Sequence, residues 1–294
     1  MVTTEEKRAH QQRAIMQAAL CEKDFLRLGS LIYSECGIKM PPSKKIMLEA
    51  RLRKRLRTLG MPSFTEYCKY LFSQEGMTSE LLPMIDMVVT NKTDFFREPR
   101  HFDYLSQTAL PELMRTYGAG LRRDLAVWSA GCSTGEEPYT IAMVLNEFRV
   151  EKPAFRFQIL ATDISTKVLE RAIRGIYKQE RAETIPGAMK KRYLLRSRER
   201  ERGLVRVIPT VRSQVTFRRL NFMEEDFGMR GLMDIIFCRN VIIYFDRATQ
   251  EKLVNRLCNH MIPGGYLFMG HSETLSGLKA PLMSVGPMVY RKPL

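Results

Sequence analysis

At 294 residues, 45 % hydrophobic and 27 % charged, the chain is long enough for one large domain and one smaller one. No run approaches the ~20 apolar residues of a membrane span, residues 1–24 lack the apolar stretch of a signal peptide, and the six cysteines form no CxxC pair. A cytoplasmic protein without membrane insertion is the expectation. The net charge of +15 is concentrated: residues 39–57 carry eight Lys or Arg against one Glu, and residues 188–219 carry eleven against two, which leaves the remainder near neutrality.

The first ninety residues read as helical. Phe25, Leu28, Leu31 and Ile32 fall at helical spacing, and Gly37 supplies a stop. Leu48, Leu52, Leu56 and Leu59 form an apolar stripe, with Arg51, Lys54, Arg55 and Thr58 on a flanking face. Such a basic amphipathic helix is either a solvated surface helix or a face that steers an acidic partner. Ser63 with Glu66 makes a capping box for a further helix through Phe72. Residues 1–22 are expected to be a flexible tail. A domain junction is expected near residues 88–98, dividing a helical domain (1–90) from a second one (91–294) and placing part of a cofactor site between them.

The run Leu125 to Pro138 takes an apolar strand into a tight turn with Gly131 and Gly135, and a helix follows at once. Glycine lets the backbone turn sharply and approach a ligand. The amides opening the helix are expected to offer unpaired donors to an acidic group. The bland alternative is an ordinary strand-turn-helix. About 32 residues on, the strand Phe157 to Thr162 ends in Asp163, completing a βαβ unit. Asp163 either grips the ribose hydroxyls of a nucleoside or caps the helix after it. The three-glycine dinucleotide fingerprint is missing, which argues for a nucleoside cofactor without phosphates. S-adenosylmethionine fits that description.

Beyond this unit, Leu204–Ile208 and Val215–Phe217 are β-prone, with Tyr193–Leu195 a candidate third strand. Together they suggest a small antiparallel β-subdomain inserted at about residues 188–215. Strands near 125–130, 157–162, 215–219, 234–238 and 265–269 alternate with helices, giving a doubly wound, mostly parallel α/β sheet. The tail Pro281–Arg291 supplies a last strand. The four histidines have no metal-ligand spacing, and no serine elbow is present, so no metal is expected.

Several blocks now resemble one family, the CheR-type chemotaxis receptor methyltransferases. They are Asn91-Lys92-Thr93-Asp94-Phe95-Phe96-Arg97-Glu98-Pro99, Gly131 to Tyr139, Ala161-Thr162-Asp163-Ile164, Phe237 to Asp246, Pro263 to Leu267, and Gly270-His271-Ser272-Glu273. The resemblance implies a Rossmann-like methyltransferase sheet with an N-terminal all-α domain and the inserted β-subdomain. It implies transfer of a methyl group from S-adenosylmethionine to glutamate side chains of methyl-accepting chemoreceptors, for sensory adaptation, with S-adenosylhomocysteine as product. The last strand is implied to run antiparallel to its neighbours.

It also implies roles. Asn91 and Thr93 touch the methionine end of the cofactor, Glu137 reaches it, and Glu136 serves the helix dipole. Gly131 makes the close turn and Asp163 holds the ribose. Asn221 sits beside the adenine, with Phe222 on the ring, and Arg239 and Asn240 face the same crevice. On spacing alone Asn221 and Asn240 also read as strand-end turn residues. A glutamate acceptor is already ionised at neutral pH and needs no general base, so Arg97 and Tyr244 are assigned to holding and orienting. Arg51 is matched to the receptor's helical bundle, with Lys54 and Arg55 beside it, and the β-subdomain is matched to a peptide at the receptor's carboxyl terminus. The highly charged run Ser197 to Arg202 departs from that pattern. A monomer is expected. An RNA methyltransferase and a non-enzymatic receptor scaffold remain as alternatives, although the basic helix lacks the interleaved aromatics of a nucleic-acid binder.

Overall fold

The computed structural model describes residue 15 and residues 18–294. Most of the tail expected over residues 1–22 lies outside these. Within it Leu20 is buried and its N–H donates to Glu49 Oε1 at 2.8 Å. The chain divides into two compact units, residues 1–90 and Asn91–Leu294.

The first unit is helical: Glu22–Cys36, Lys45–Leu59, Phe64–Leu71, Gln74–Ser79 and Leu81–Val88. Its helix ends follow local chemistry. Gly37 closes the first helix at φ +71° and donates to Tyr33 O, and the Ser63 hydroxyl accepts from Glu66 N–H at 3.2 Å. Leu48, Leu52 and Leu56 are fully buried, each contributing about 1.5–3 kcal/mol by leaving water.

The second unit is built on a seven-stranded sheet of order β6-β2-β1-β7-β8-β10-β9. In chain order β1 is Leu125–Ala130, β2 Phe157–Asp163, β6 Val215–Arg219, β7 Met233–Cys238, β8 Met261–Met269, β9 Met283–Gly286 and β10 Val289–Arg291. The first five in the sheet run parallel, and β10 is antiparallel to both β8 and β9. The expected single tail strand is therefore a hairpin, because Met288 at φ +56° turns the chain. Alternate residues serve opposite faces. Val127, Ile235, Phe237 and Phe268 pack into one core with the helix Glu136–Glu151, and Trp128, Ile236 and Leu267 pack into the other with the helix Arg247–Asn259.

A second sheet has the order β3-β5-β4, where β3 is Ile176–Lys178, β4 Leu194–Arg196 and β5 Leu204–Val207. Its third strand is β3, which lies before the expected insertion. The β-prone run from Val215, read both beside the insertion and as a main-sheet strand, joins the edge of the main sheet, where its backbone pairs with β2 in the register Ile159↔Val215. Among the described residues no helix is long and apolar enough to cross a membrane.

Strand order reverses between β1 and β7, which pair directly with Val127 opposite Ile235. Successive crossovers leave in opposite directions there and open a crevice beyond the carboxyl ends of the strands.

Candidate active site

Gly131 leaves β1 at φ +85°, and a Cβ added to it would lie 2.5 Å from Val241 Cγ2. Ser133 and Gly135 also adopt positive φ, +48° and +96°. The amides of this turn are committed internally. Gly131 and Cys132 both donate to Thr162 O at 2.8 Å, Ser133 donates to Asp163 Oδ2 at 2.8 Å, and Gly135 donates to Cys132 O at 3.1 Å. Two acids, Glu136 and Glu137, open the helix and are buried. The donors of the turn itself are thus occupied, and an anion approaching the opening of the helix would meet the two carboxylates.

Asp163 lies at the tip of β2. Its Oδ2 accepts from Ser133 and its Oδ1 from Ser165 N–H at 2.9 Å. The N-cap of the following helix is Ser165, whose hydroxyl accepts from Val168 N–H. Asp163 therefore ties the glycine turn to the end of β2.

Across the crevice the buried guanidinium of Arg239 follows β7. Its Nη1 donates to Glu137 Oε2 at 3.2 Å, while Nη2 and Nε donate to Glu98 Oε2 at 3.0 and 3.3 Å. Nη2 also donates to the carbonyl of Arg97. Glu137 takes a further hydrogen bond from Ser129 Oγ at 2.7 Å. Burial pushes the Glu137 carboxyl above the usual range, and Arg239 offsets only part of this. Burial also acts upward on Glu98, but there the charge of Arg239 and the His271 amide hydrogen bond prevail, and its carboxyl lies below the usual range.

His101 is 2 % exposed, with Nδ1 3.5 Å from Glu98 Oε2 and the Pro287 backbone also facing the ring. Burial, then Arg239, lowers its pKa to about 4. Glu98, His101 and His271 bring potential ligand atoms within 4.8 Å of one another. The carboxylate already carries a fixed cation, the Arg239 guanidinium, where a metal ion would have to compete.

The segment that opens the second unit is pinned at several points. Ser133 Oγ donates to Asn91 O at 2.9 Å, Phe96 N–H donates to Thr140 Oγ1 at 3.2 Å, and Arg181 donates to Thr93 O. Arg181 also reaches Glu136 Oε1 at 2.6 Å, so Glu136 anchors this strap in addition to lying on the helix dipole. Phe96 and Glu98 adopt positive φ, +52° and +57°, conformations that a dense set of contacts must impose. Arg97 extends from this loop, donates to Lys92 O at 3.2 Å, and is one-third exposed.

Beyond β7, Asn240 has φ +60°, and Tyr244, half-buried, ends the 3₁₀ turn Ile242–Tyr244. Glu273 is buried, and its carboxylate accepts from the backbone N–H groups of Asn240, Gly270 and Ile242 at 2.6, 2.7 and 2.8 Å. Asn221 closes its own turn by accepting from Met223 N–H at 3.0 Å, the strand-end role its position allowed. Phe222 packs by Trp128 and Phe227, with ring centroids 6.5 and 6.1 Å away.

Family models decide the identity. The model described as CheR methyltransferase, SAM binding domain, matches residues 91–289, and that described as CheR methyltransferase, all-alpha domain, matches residues 23–86. The chain belongs to the CheR methyltransferase family. It is 38 % identical over 284 residues to the chemotaxis protein methyltransferase of Borreliella burgdorferi, covering 96 % of this chain and 99 % of that protein. Over 270 residues it is 40 % identical to chemotaxis protein methyltransferase 2 of Pseudomonas aeruginosa, with 91 % and 92 % covered. The chemotaxis protein methyltransferase of Escherichia coli is 39 % identical over 272 residues, with 92 % and 91 % covered.

The family's cofactor, S-adenosylmethionine, fits the residues present. It carries no phosphate, and four amides of the Gly131–Gly135 turn are already committed. It carries a sulfonium and an ammonium, and the carboxylates Glu137 and Asp163 are buried close to the strand ends, Glu137 paired with Arg239. Three residues that organise this site had no role assigned from sequence. Glu98 and Glu273 stood inside recognisable blocks, but nothing in a block says which backbone groups a carboxylate will reach. Arg181 carried no signal, lying 45 residues from Glu136 and 88 from Thr93.

In the helical unit the basic helix is less free than its sequence suggests. Arg55 donates to both oxygens of Glu80, at 2.7 and 2.6 Å, and Tyr67 OH adds a third bond at 3.0 Å. The Glu80 hydrogen bond raises the Arg55 pKa against the effect of burial. Arg51 donates to Val88 O and, at 2.9 Å, to Thr90 Oγ1, capping the end of the fifth helix. Lys54 is exposed and, among the described residues, has no side-chain hydrogen bond or ion pair.

Proposed function

We propose that this protein transfers a methyl group from S-adenosylmethionine to the γ-carboxylate of glutamate side chains on chemoreceptors, forming a methyl ester and S-adenosylhomocysteine. Supporting this is one observation above all: four amides of the Gly131–Gly135 turn are committed, beside buried Glu137 and Asp163, which suits a cationic, phosphate-free nucleoside. When bound, the cofactor supplies an electrophilic methyl carbon on a sulfonium. Asp163 holds the ribose hydroxyls, while Asn221 and Phe222 flank the adenine. Gly131 gives the turn its close approach. Asn91, Thr93 and Glu137 hold the methionine end, and Arg239 with Asn240 completes the wall.

The acceptor carboxylate attacks the methyl carbon. The new O–C bond forms as the C–S bond breaks, and both charges are lost together. A tight ion pair to that carboxylate would stabilise the ground state more than the transition state. Arg97 and Tyr244 are accordingly given orientation and exclusion of water rather than strong binding. The helical unit (residues 1–90) presents Lys54, with Arg51 and Arg55 bracing the helix behind it, to the acidic bundle of a receptor. The small sheet offers an edge for a receptor carboxyl-terminal peptide. A cytoplasmic, metal-independent monomer that does not bind nucleic acid completes the reading.

The test is incubation of the purified chain with labelled cofactor and receptor cytoplasmic fragments, followed by base treatment and mass spectrometry. Base-labile label on specific glutamates supports the reading. A scaffold transfers no label, and an RNA enzyme labels nucleic acid with a steep salt dependence.

A further inference from the structure

Glu273 is 2 % exposed, and no ion pair neutralises it among the described residues. Its hydrogen-bond partners are backbone amides, those of Asn240, Ile242 and Gly270. The ladder joining β7 to β8 already ends at Cys238↔Met269, so these bonds begin where sheet pairing stops and add nothing to strand register. They act on the turn that follows. That turn contains Asn240 at φ +60°, a left-handed conformation that Asn reaches more easily than most L-residues but that its surroundings must still select over the right-handed one. Gly270 makes the approach possible, since a Cβ there would lie 2.5 Å from Asn240 Nδ2 and 2.9 Å from its backbone nitrogen.

We propose that Glu273 is a positioning residue for cofactor binding: by accepting three backbone N–H groups it holds the turn after β7 in the left-handed form that aims Arg239 and Asn240 into the crevice and starts the 3₁₀ turn bearing Tyr244. The inference rests on the reading that the cofactor lies over these strand ends. A buried carboxylate bound by amides alone accepts at both oxygens, whereas a carboxamide accepts at one and sets an NH2 against backbone donors. Glu273→Gln therefore keeps size and shape and removes the bracket.

The experiment measures S-adenosylhomocysteine affinity by calorimetry, KM for S-adenosylmethionine and kcat, on the full-length parent, Glu273→Gln and Glu273→Asp. Glu273→Gln should weaken the product's affinity and raise KM by about 10- to 100-fold, the scale of losing a hydrogen bond to a charged group, with kcat at saturating cofactor changed far less. Glu273→Asp, which keeps the charge but is shorter, should fall between. If Glu273→Gln does not fold, Gly270→Ala gives the second reading: it leaves the carboxylate intact, pushes Asn240 out of place, and should raise KM in the same way. A lower Tm with unchanged KM in the folded fraction overturns the proposal and makes Glu273 merely structural. So does near-parental affinity in Glu273→Gln, or in Gly270→Ala where that variant stands in for it. A parent that itself fails to bind S-adenosylhomocysteine sinks the cofactor reading instead.

Discussion

Two strand ends of the sheet solve the same problem with the same device. After β1, Ser133 at φ +48° donates its amide to Asp163, a carboxylate at the tip of neighbouring β2. After β7, Asn240 at φ +60° donates its amide to Glu273, a carboxylate just past neighbouring β8. In each case the adjacent strand supplies an acid that holds a left-handed turn at the mouth of the crevice. The difference is what else the acid does. Asp163 ties the glycine-bearing turn to β2 and is the residue proposed to hold the ribose, whereas Glu273 is enclosed and accepts from backbone amides. On that reading one bracket combines binding with positioning, and the other only positions.

Breaking the first bracket should therefore cost most. Asp163→Asn is expected to weaken S-adenosylhomocysteine binding by at least about 100-fold, more than Glu273→Gln, because it loses a turn contact and a ribose acceptor together. Equal losses in the two variants, measured by calorimetry under one set of conditions, would remove the asymmetry between the brackets. Gly131→Ala probes the same turn from the backbone side. Its φ of +85° and a Cβ 2.5 Å from Val241 Cγ2 should lower stability by about 1–3 kcal/mol and binding about tenfold. Adding Val241→Ala should recover the steric part and leave the conformational part, which thermal unfolding of the double variant reads directly.

The positions of the first bracket were legible in the sequence, though not the bond between them, and the second was not legible at all, for a physical reason. Gly131 and Gly135 stand where positive φ favours glycine, and Asp163 ends an apolar strand, so spacing alone points to them. Hydrophobic patterning likewise marked β1, β2, β7 and the Leu48–Leu52–Leu56 stripe, since burial is written residue by residue. What spacing cannot carry is the partner of a charge. Arg55 looked like a surface cation and is bound to Glu80, 25 residues away. Glu273 reaches Asn240 across 33 residues, and the run Val215–Arg219 was β-prone without saying which of two sheets it would join. The amides of the Gly131 turn teach the same thing, because their acceptors, Thr162 O and Asp163, come from the next strand.

A smaller effect separates the loop that carries Asn91 and Thr93 from the brackets themselves. Arg181 joins Thr93 O to Glu136, and its side chain is 41 % exposed while Glu136 is buried. Arg181→Ala frees the loop carbonyl and leaves Glu136 with Thr134 Oγ1 at 2.6 Å. KM for S-adenosylmethionine should rise about three- to tenfold, with less change in kcat. A parental KM would show that the remaining contacts of Asn91, Phe95 and Phe96 hold the loop without the strap.

The smallest expected effect is in stability against pH, and it tests whether the Arg239 side of the crevice is an electrostatic unit. In the unfolded chain His101 protonates near 6.5, but in the fold burial and Arg239 hold its pKa down to about 4, with Glu98 opposing them and the His271 ring alongside. Between those values the unfolded state binds more protons than the folded state, so stability must fall as pH drops from 6.5 toward 4. Glu98, also lowered, adds to the fall below the usual carboxylate range, whereas Glu137 and Glu273, raised by burial, act in the opposite sense. Subtracting a variant separates these contributions. His101→Phe keeps a ring beside Phe268 and removes the titration, so its Tm should decline less than the parent's between pH 6.5 and 4.5. Parallel Tm profiles for the two proteins would mean that His101 takes a proton as readily in the fold as out of it, and that Arg239 exerts no such field on its neighbours.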